Sequence, residues 1–287
     1  MLTKRFLPGK QLTCALVALS FALPASLLAA DKAKFEKGGI EYHFVLNDLT
    51  NIDEQYMPVM PDQVVEKLAP MFVVAPQGKM KNGMYIDTLD RKLKQKNLIL
   101  RVKKGKLTVK SRGPVPEAIA DIPKCEREKS SKEYELDYFG KPSYSIASSI
   151  KFSPEELEIA NNKITPAKVR AFLQTACSPL YEQVKDVLSD PAVVIPGTSN
   201  QYKFKVKLGK GYPLADNEEL EVDLAIWYFP TTTETVFELS YTGPASERPQ
   251  LEKLQDQTFA FLKVRGMLSN KQISKTQTFF NVYLPQE

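Results

Sequence analysis

A dense run of basic residues within an alternating segment is the feature that most restricts how this chain can fold. Residues 91–112 contain no acidic residue. Leu98–Val102 and Leu107–Lys110 alternate apolar and polar residues on either side of the turn KKGK, a pattern typical of a β-hairpin. One face of this hairpin is therefore apolar and the other basic. The ten basic residues of the segment are Arg91, Lys92, Lys94, Lys96, Arg101, Lys103, Lys104, Lys106, Lys110 and Arg112.

Two interpretations of the basic face stay open. Like charges on adjacent strands repel each other, so the face either remains in solvent or meets a polyanion or neighbouring carboxylates. Nucleic acid is disfavoured as the polyanion, because no stacking motif is interleaved with the basic residues. A membrane-surface role is disfavoured because the apolar face of the hairpin is needed for a core.

The first thirty residues have the composition of an export signal. Lys4, Arg5 and Lys10 provide a positive start, the apolar stretch 12–23 is short for a membrane span, and Ala29-Ala30 offers small residues for cleavage. We therefore expect a signal peptide at 1–30, a single domain at 31–287, and a periplasmic or secreted protein without a membrane span after cleavage. An uncleaved anchor is the alternative.

Cleavage would change the distribution of charge. The chain has 39 basic and 34 acidic residues, a formal net charge of +5, and the first thirty residues hold three basic and no acidic ones. The mature chain would then carry +2, with +10 in residues 91–112 and −8 elsewhere. This contrast indicates a local anion site rather than a generally basic protein.

The mature chain would keep two of the three cysteines, Cys125 and Cys177. In an oxidising compartment two cysteines can form one disulfide, and their spacing is not that of a metal site. A Cys125–Cys177 disulfide and two buried free thiols both remain possible from the sequence.

Strand patterns outnumber helix patterns along the chain, which predicts an α+β fold with an antiparallel sheet that closes into a barrel. Helices are expected at 62–72, from Thr165-Pro166 to about 188, and at 249–265. The serine-rich stretch 142–149 is expected to be loop or strand. The predicted strands are 40–46, 84–87, 98–102, 107–110, 133–139, 202–208, 220–229, 236–241 and 276–284.

Residues 85–114, YIDTLDRKLKQKNLILRVKKGKLTVKSRGP, resemble a run found in the CYTH family of triphosphate tunnel metalloenzymes. IEYHF, ELEVDLAIW and VFELSY resemble acidic strands of that family, and Ser274-Lys275-Thr276 resembles its closing segment. The matching positions in the central run are Tyr85, Asp87, Thr88, Asp90, Leu93, Leu100, Arg101, Lys103, Leu107, Thr108 and Lys110.

The resemblance implies an eight-stranded antiparallel tunnel barrel with flanking helices. Arg101, Lys103, Lys110 and Arg112 would bind phosphate, since arginine binds phosphate oxygens bidentately and lysine acts as a point charge. Glu41, Asp223 and Glu238 would hold Mg²⁺ or Mn²⁺. The expected ligand is a phosphorylated small molecule or polyphosphate, and hydrolysis would be that of a metal-dependent triphosphatase or polyphosphatase.

Three positions depart from the family pattern. Gly39 and Ser240 stand where the family has acids, and His43 stands where it has lysine. With fewer carboxylates a metal is bound more weakly. The first hypothesis is thus an exported tunnel protein that binds a phosphorylated polyanion, with or without metal-dependent hydrolysis. The alternative is a non-catalytic module for an anionic ligand or a partner protein in the cell envelope.

Overall fold

The computed structural model describes residues 33–47, 60–157, 163–230 and 232–285. The predicted signal peptide at 1–30 lies outside these residues. None of the helices in the described ranges is both long and apolar enough to cross a membrane.

Ten strands form one sheet. Most are amphipathic, with one face buried against helices and the other turned toward the centre. Their bounds are β1 Gly39–Leu46, β2 Phe72–Thr88, β3 Leu98–Lys103, β4 Lys106–Gly113, β5 Ser130–Tyr138, β6 Pro142–Lys151, β7 Val193–Val194, β8 Thr198–Leu208, β9 Glu221–Tyr228 and β10 Thr235–Pro244.

The sheet closes into a ring because β3 pairs with both β4 and β2. The order is β3-β4-β6-β5-β1-β10-β9-β8-β2, with the two-residue β7 attached to β2. All neighbours are antiparallel except β1 and β5, which are parallel. The predicted α+β tunnel barrel is thereby confirmed, but the ring has nine strands and not eight. β6 is the strand of the ring that was not among the predicted strands; it is serine-rich and lacks a clear apolar alternation.

The basic hairpin forms as its pattern predicts. β3 and β4 pair from Leu98↔Ser111 to Lys103↔Lys106. Lys104 and Gly105 make the turn with φ of 52° and 67°, the backbone that two-residue hairpin turns require. The apolar face of the hairpin, including Leu100 and Val109, is buried.

Helices cover the ring from outside and close one end of it. α1 (Asp62–Leu68) and α5 (Arg248–Val264) pack on the outer face of β1, β10, β9 and β8. α3 (Pro166–Ala176) and α4 (Ser178–Leu188) pack on β3, β4 and β6, and the short α2 (Lys92–Gln95) leads into β3. The predicted helix at 62–72 ends earlier, at Leu68, because Phe72 already begins β2.

The last element corrects a prediction. Residues 276–284 were expected to form a strand, but residues 276–283 belong to α6, Lys275–Tyr283. The Ser274 hydroxyl accepts a hydrogen bond from the Gln277 amide and caps the helix. Phe279 and Phe280 are buried against Tyr85 and Phe229 at one end of the ring. Burial of these two aromatic side chains at the end of the ring favours the helix over the expected strand.

A disulfide joins Cys125 to Cys177, whose Cα atoms are 5.5 Å apart. Cys177 lies between α3 and α4, and Cys125 precedes β5. The bond therefore ties the helix pair to the loop that leads into the sheet.

Candidate functional site: a charged tunnel

The inner face of the ring is polar because the strands alternate. On β1, Tyr42 and Phe44 point into the outer core, so Glu41 and His43 face inward. The same alternation turns charged residues of seven further strands inward. They line a cavity of about 190 Å³ whose charged residues are Glu41, His43, Lys81, Arg101, Lys103, Lys104, Lys110, Arg112, Glu135, Lys203, Asp223, Glu238 and Lys275.

Three carboxylates surround the single histidine. His43 Nε2 lies 3.4 Å from Glu41 Oε2 and 3.8 Å from Asp137 Oδ1. His43 Nδ1 lies 3.6 Å from Glu238 Oε2. The imidazole also stacks on Phe139, with ring centroids 3.9 Å apart and planes 7° from parallel. The ring is thus fixed between a flat apolar surface and three anionic groups.

This surrounding sets the protonation states of the cluster. Burial alone would lower the pKa of His43, but Glu41, Glu238 and Asp137 raise it to about 10. Burial alone would raise the pKa of Glu41, but His43 and Lys275 lower it to about 2. Burial likewise opposes ionisation of Asp137 and Glu238, and nearby cations hold the pKa of each well below its usual range. Near neutral pH, the histidine is therefore a cation among three anions.

The two basic residues of β4 that line the cavity have carboxylate partners. Arg112 donates to Asp137 Oδ2 at 2.6 Å. Lys110 is paired with Glu135 and lies 3.7 Å from Asp137 Oδ2. Burial works against a charged Arg112, but Asp137 and Glu135 raise its pKa. These two cations are already neutralised within the chain.

Two further ion pairs complete this side of the tunnel. Lys275, at the first turn of α6, donates to Glu238 Oε1 at 2.8 Å. Lys203 on β8 is paired with Asp223 on β9. Each carboxylate of the described tunnel wall therefore has a cationic neighbour from the chain itself.

Four basic residues, on β2, on β3 and in the turn between β3 and β4, form no ion pair with a described carboxylate. Lys81, Arg101, Lys103 and Lys104 form no ion pair with a carboxylate among the described residues, and the buried Arg101 Nε has no hydrogen-bond partner. Lys103 Nζ donates to the Gln201 Oε1 amide oxygen at 2.8 Å and lies 4.4 Å from the centroid of the Trp227 ring. We call these four residues the unpaired cation group.

Crowding of positive charge lowers the pKa of two members. Burial, followed by Lys275 and Arg101, lowers the pKa of Lys103 to about 6. Burial and the neighbouring Lys104 and Lys203 lower the pKa of Lys81 to about 8. An anion beside this group would reverse both effects, because it would favour the charged amines.

All seven residues predicted to bind phosphate or metal line the same cavity. They do not form the two sets expected from the sequence. Lys110 and Arg112 are engaged by carboxylates, whereas Arg101 and Lys103 are not, and Asp223 lies with Lys203 rather than with Glu41 and Glu238.

Sequence reasoning missed several members of the site. Glu135 and Asp137 are two residues apart in the alternating segment EYELDYF and therefore share one face of the strand. That spacing could have identified both as inward-facing carboxylates. Lys275 lay in a segment quoted only for its resemblance to a family motif. His43 was not assigned to the site, because nothing in the sequence shows which strands place carboxylates around it.

The residues that the structure groups as possible metal ligands differ from those expected from the sequence. Among the described residues, one group has liganding atoms within 4.8 Å of one another: Glu41, His43 and Asp137. Of the expected set, only Glu41 belongs to this group; Asp223 is paired with Lys203, and Glu238 with Lys275. Mixed nitrogen and oxygen donors suit a transition metal such as Mn²⁺ better than Mg²⁺, and His43 would have to lose its proton to become a ligand.

Comparisons with known proteins concern the fold. No protein-family model and no curated protein matches this chain. Its structure is similar to HpAC1 of Hippeastrum, described as a candidate adenylyl cyclase with a dominant triphosphatase activity (14% identity, 85% of this chain, 96% of that chain, TM-score 0.46). It is also similar to a candidate adenylate cyclase of Bacillus halodurans (14% identity, 85% of this chain, 99% of that chain, TM-score 0.39). A third similar structure is that of a Pyrococcus horikoshii protein (9% identity, 84% of this chain, 99% of that chain, TM-score 0.37). The chemistry of this tunnel must therefore be derived from its own residues.

Proposed function

We propose that the tunnel binds a phosphorylated polyanion, such as a triphosphate or polyphosphate, at the unpaired cation group. One observation carries this proposal: the described tunnel carboxylates all have cationic neighbours, while Lys81, Arg101, Lys103 and Lys104 have no anionic partner. Lys103 in particular is desolvated beside Arg101 and Lys275, and such crowding is unfavourable for its charged form unless an anionic ligand compensates it.

The geometry suits phosphate chemistry. The Arg101 guanidinium presents a planar set of donors that matches two phosphate oxygens, and the lysines add charge without a fixed direction. Lys110 and Arg112 contribute less to the ligand in this proposal, because a phosphate would have to displace Glu135 or Asp137 from them. The ion pairs instead hold the opposite wall in place.

Thermal stabilisation by tripolyphosphate tests the proposal. Wild-type protein is expected to melt at higher temperature as tripolyphosphate is added, and Arg101→Gln is expected to lose most of this shift. Arg170→Gln on α3 is the matched control, since Arg170 does not line the cavity. An unchanged shift in Arg101→Gln, or no shift in the wild type, would contradict the proposal.

A second candidate function is metal-dependent hydrolysis of the bound polyanion. The observation that favours it is the Glu41–His43–Asp137 group, which could hold one ion. Such an ion would polarise a phosphoryl group and activate water. Phosphate release from tripolyphosphate with Mn²⁺ or Mg²⁺, lost in Glu41→Gln, would support catalysis. Stabilisation without phosphate release would leave the non-catalytic binding module for an anionic ligand or a partner protein.

We also propose that the mature protein is exported to the periplasm or secreted. The composition of residues 1–30 supports this, and the Cys125–Cys177 disulfide is compatible with an oxidising compartment. N-terminal sequencing of the protein recovered from the extracytoplasmic fraction tests it. A chain that starts near residue 31 is expected, whereas a cytoplasmic chain starting at residue 1 would refute the proposal.

A further inference from the structure

Two amines approach one indole ring inside the tunnel, and their partners differ. Lys275 Nζ lies 5.0 Å and Lys103 Nζ 4.4 Å from the centroid of Trp227. Lys275 donates to the Glu238 carboxylate, which stabilises its proton. Among the residues that the structure describes, the acceptor for Lys103 is the neutral amide oxygen of Gln201. Where two ammonium groups repel each other, the one without a carboxylate gives up its proton first.

Arg101 and Lys104 flank Lys103 in the chain, and both reach the same cavity. Lysines that are desolvated and placed next to other cations act as nucleophiles in enzymes, because their neutral form persists near neutral pH. The lowered pKa of Lys103, about 6, agrees with this arrangement of charges.

We propose that Lys103 is a nucleophilic amine that forms a Schiff base with small aldehydes or ketones carrying a phosphate group. The preference for a phosphate-bearing carbonyl compound rests on the proposed function, since the unpaired cation group would hold the phosphate. The nucleophilic character of the amine does not rest on it, because it follows from the contacts of Lys103 itself.

The reaction balances without an external oxidant or reductant. The Nζ lone pair attacks the carbonyl carbon, a C–N bond forms, and the electrons of the C=O π bond move to oxygen. The oxygen takes a proton, and the second amine proton is lost as the carbinolamine eliminates one water molecule. The product is a C=N bond between Lys103 and the ligand. The phosphate remains attached, so this step consumes no phosphate ester.

Trapping with borohydride at neutral pH tests the proposal on the wild-type protein. Glyceraldehyde 3-phosphate and phosphate-free glyceraldehyde serve as matched probes, and peptide mass mapping locates the reduced adduct. Lys103 is expected to be labelled at least about tenfold faster than Lys185, an exposed lysine of α4 whose pKa is raised by Glu182. Lys103→Arg should remove that fast adduct and leave labelling of Lys185 unchanged.

The outcomes separate the two proposals. Faster labelling of Lys103 by the phosphorylated probe, suppressed by tripolyphosphate, supports both the nucleophile and the anion site. Equal labelling of Lys103 by both probes, unaffected by tripolyphosphate, supports the nucleophile and contradicts anion binding there. Labelling of Lys103 no faster than Lys185, in a protein that tripolyphosphate still stabilises, overturns the nucleophile and leaves the binding function standing.

Discussion

Replacement of His43 by glutamine tests whether an internal cation holds the tunnel wall together. Glutamine keeps a polar side chain of similar reach but carries no charge. The variant would leave Glu41, Asp137 and Glu238 facing one another without the imidazolium that now lies 3.4 to 3.8 Å from each of them. Loss of one partner from a buried charge cluster typically destabilises a protein by about 3–5 kcal/mol.

The pKa shift gives an independent magnitude. A rise from 6.5 in the unfolded chain to about 10 in the folded one corresponds to roughly 5 kcal/mol of stabilisation. A raised pKa means that this contribution is fully present below pH 6.5 and is lost as the pH rises through 10. The difference in free energy of unfolding between wild type and His43→Gln should therefore be about 4.5 kcal/mol at pH 6 and about 1.5 kcal/mol at pH 9.

Urea denaturation of untagged protein in the presence of EDTA measures this difference. The chain has one histidine, so the variant contains no other imidazole and subtraction isolates the contribution of His43. The titration of Lys103 and Lys81 occurs in both proteins and largely cancels. NMR of the single imidazole gives its pKa directly. A difference that is the same at pH 6 and pH 9, or an imidazole that titrates near pH 6.5, would refute the reasoning.

Three further predictions concern other parts of the structure. Serine at both Cys125 and Cys177 should lower the free energy of unfolding by about 4 kcal/mol in non-reducing buffer, since the bond spans 52 residues, and equal denaturation midpoints of variant and oxidised wild type would contradict this. Lys275→Met should destabilise the protein by about 3 kcal/mol because Glu238 would lose its paired ammonium, and adding Glu238→Gln should recover most of the loss in urea denaturation. Binding of tripolyphosphate at pH 8 should be accompanied by proton uptake, close to one proton on Lys103 and a further fraction on Lys81. The reason is that the anion restores the charge of amines whose pKa is lowered. Calorimetry in buffers of different ionisation enthalpy measures the uptake, and release of protons on binding would contradict the prediction.

Local patterns in the sequence were sufficient to predict the hairpin and most of the strands. Leu98–Val102 and Leu107–Lys110 alternate over a turn whose Gly105 has a positive φ, so that element depends only on residues close in the chain. α6 failed for the opposite reason. No local pattern in its residues separates helix from strand, and only the apolar end of a ring formed by distant strands selects the helix.

The division of the basic residues into paired and unpaired ones could not be predicted locally. Arg101 on β3 and Lys110 on β4 belong to one hairpin and share one face. Their charge partners depend on strand order: β4 is followed around the ring by β6 and β5, which brings Glu135 and Asp137 within reach of its basic residues. β3 is followed on its other side by β2, which contributes Lys81. Nothing within residues 91–112 specifies these neighbours.

This strand order gives the tunnel two walls with different tasks. The wall from β4 around to β8, together with Lys275 of α6, contains the carboxylates and their neutralising cations, so its ion pairs are satisfied before any ligand binds. The wall of β2 and β3 holds positive charge that the chain leaves unmatched. A ligand that supplied anionic oxygens there would gain attraction without breaking an existing ion pair, which keeps the cost of binding low. The same lack of an anion leaves Lys103 as a neutral amine in the empty tunnel, and a bound polyanion would return its proton. Tripolyphosphate and a carbonyl compound therefore compete for this one wall.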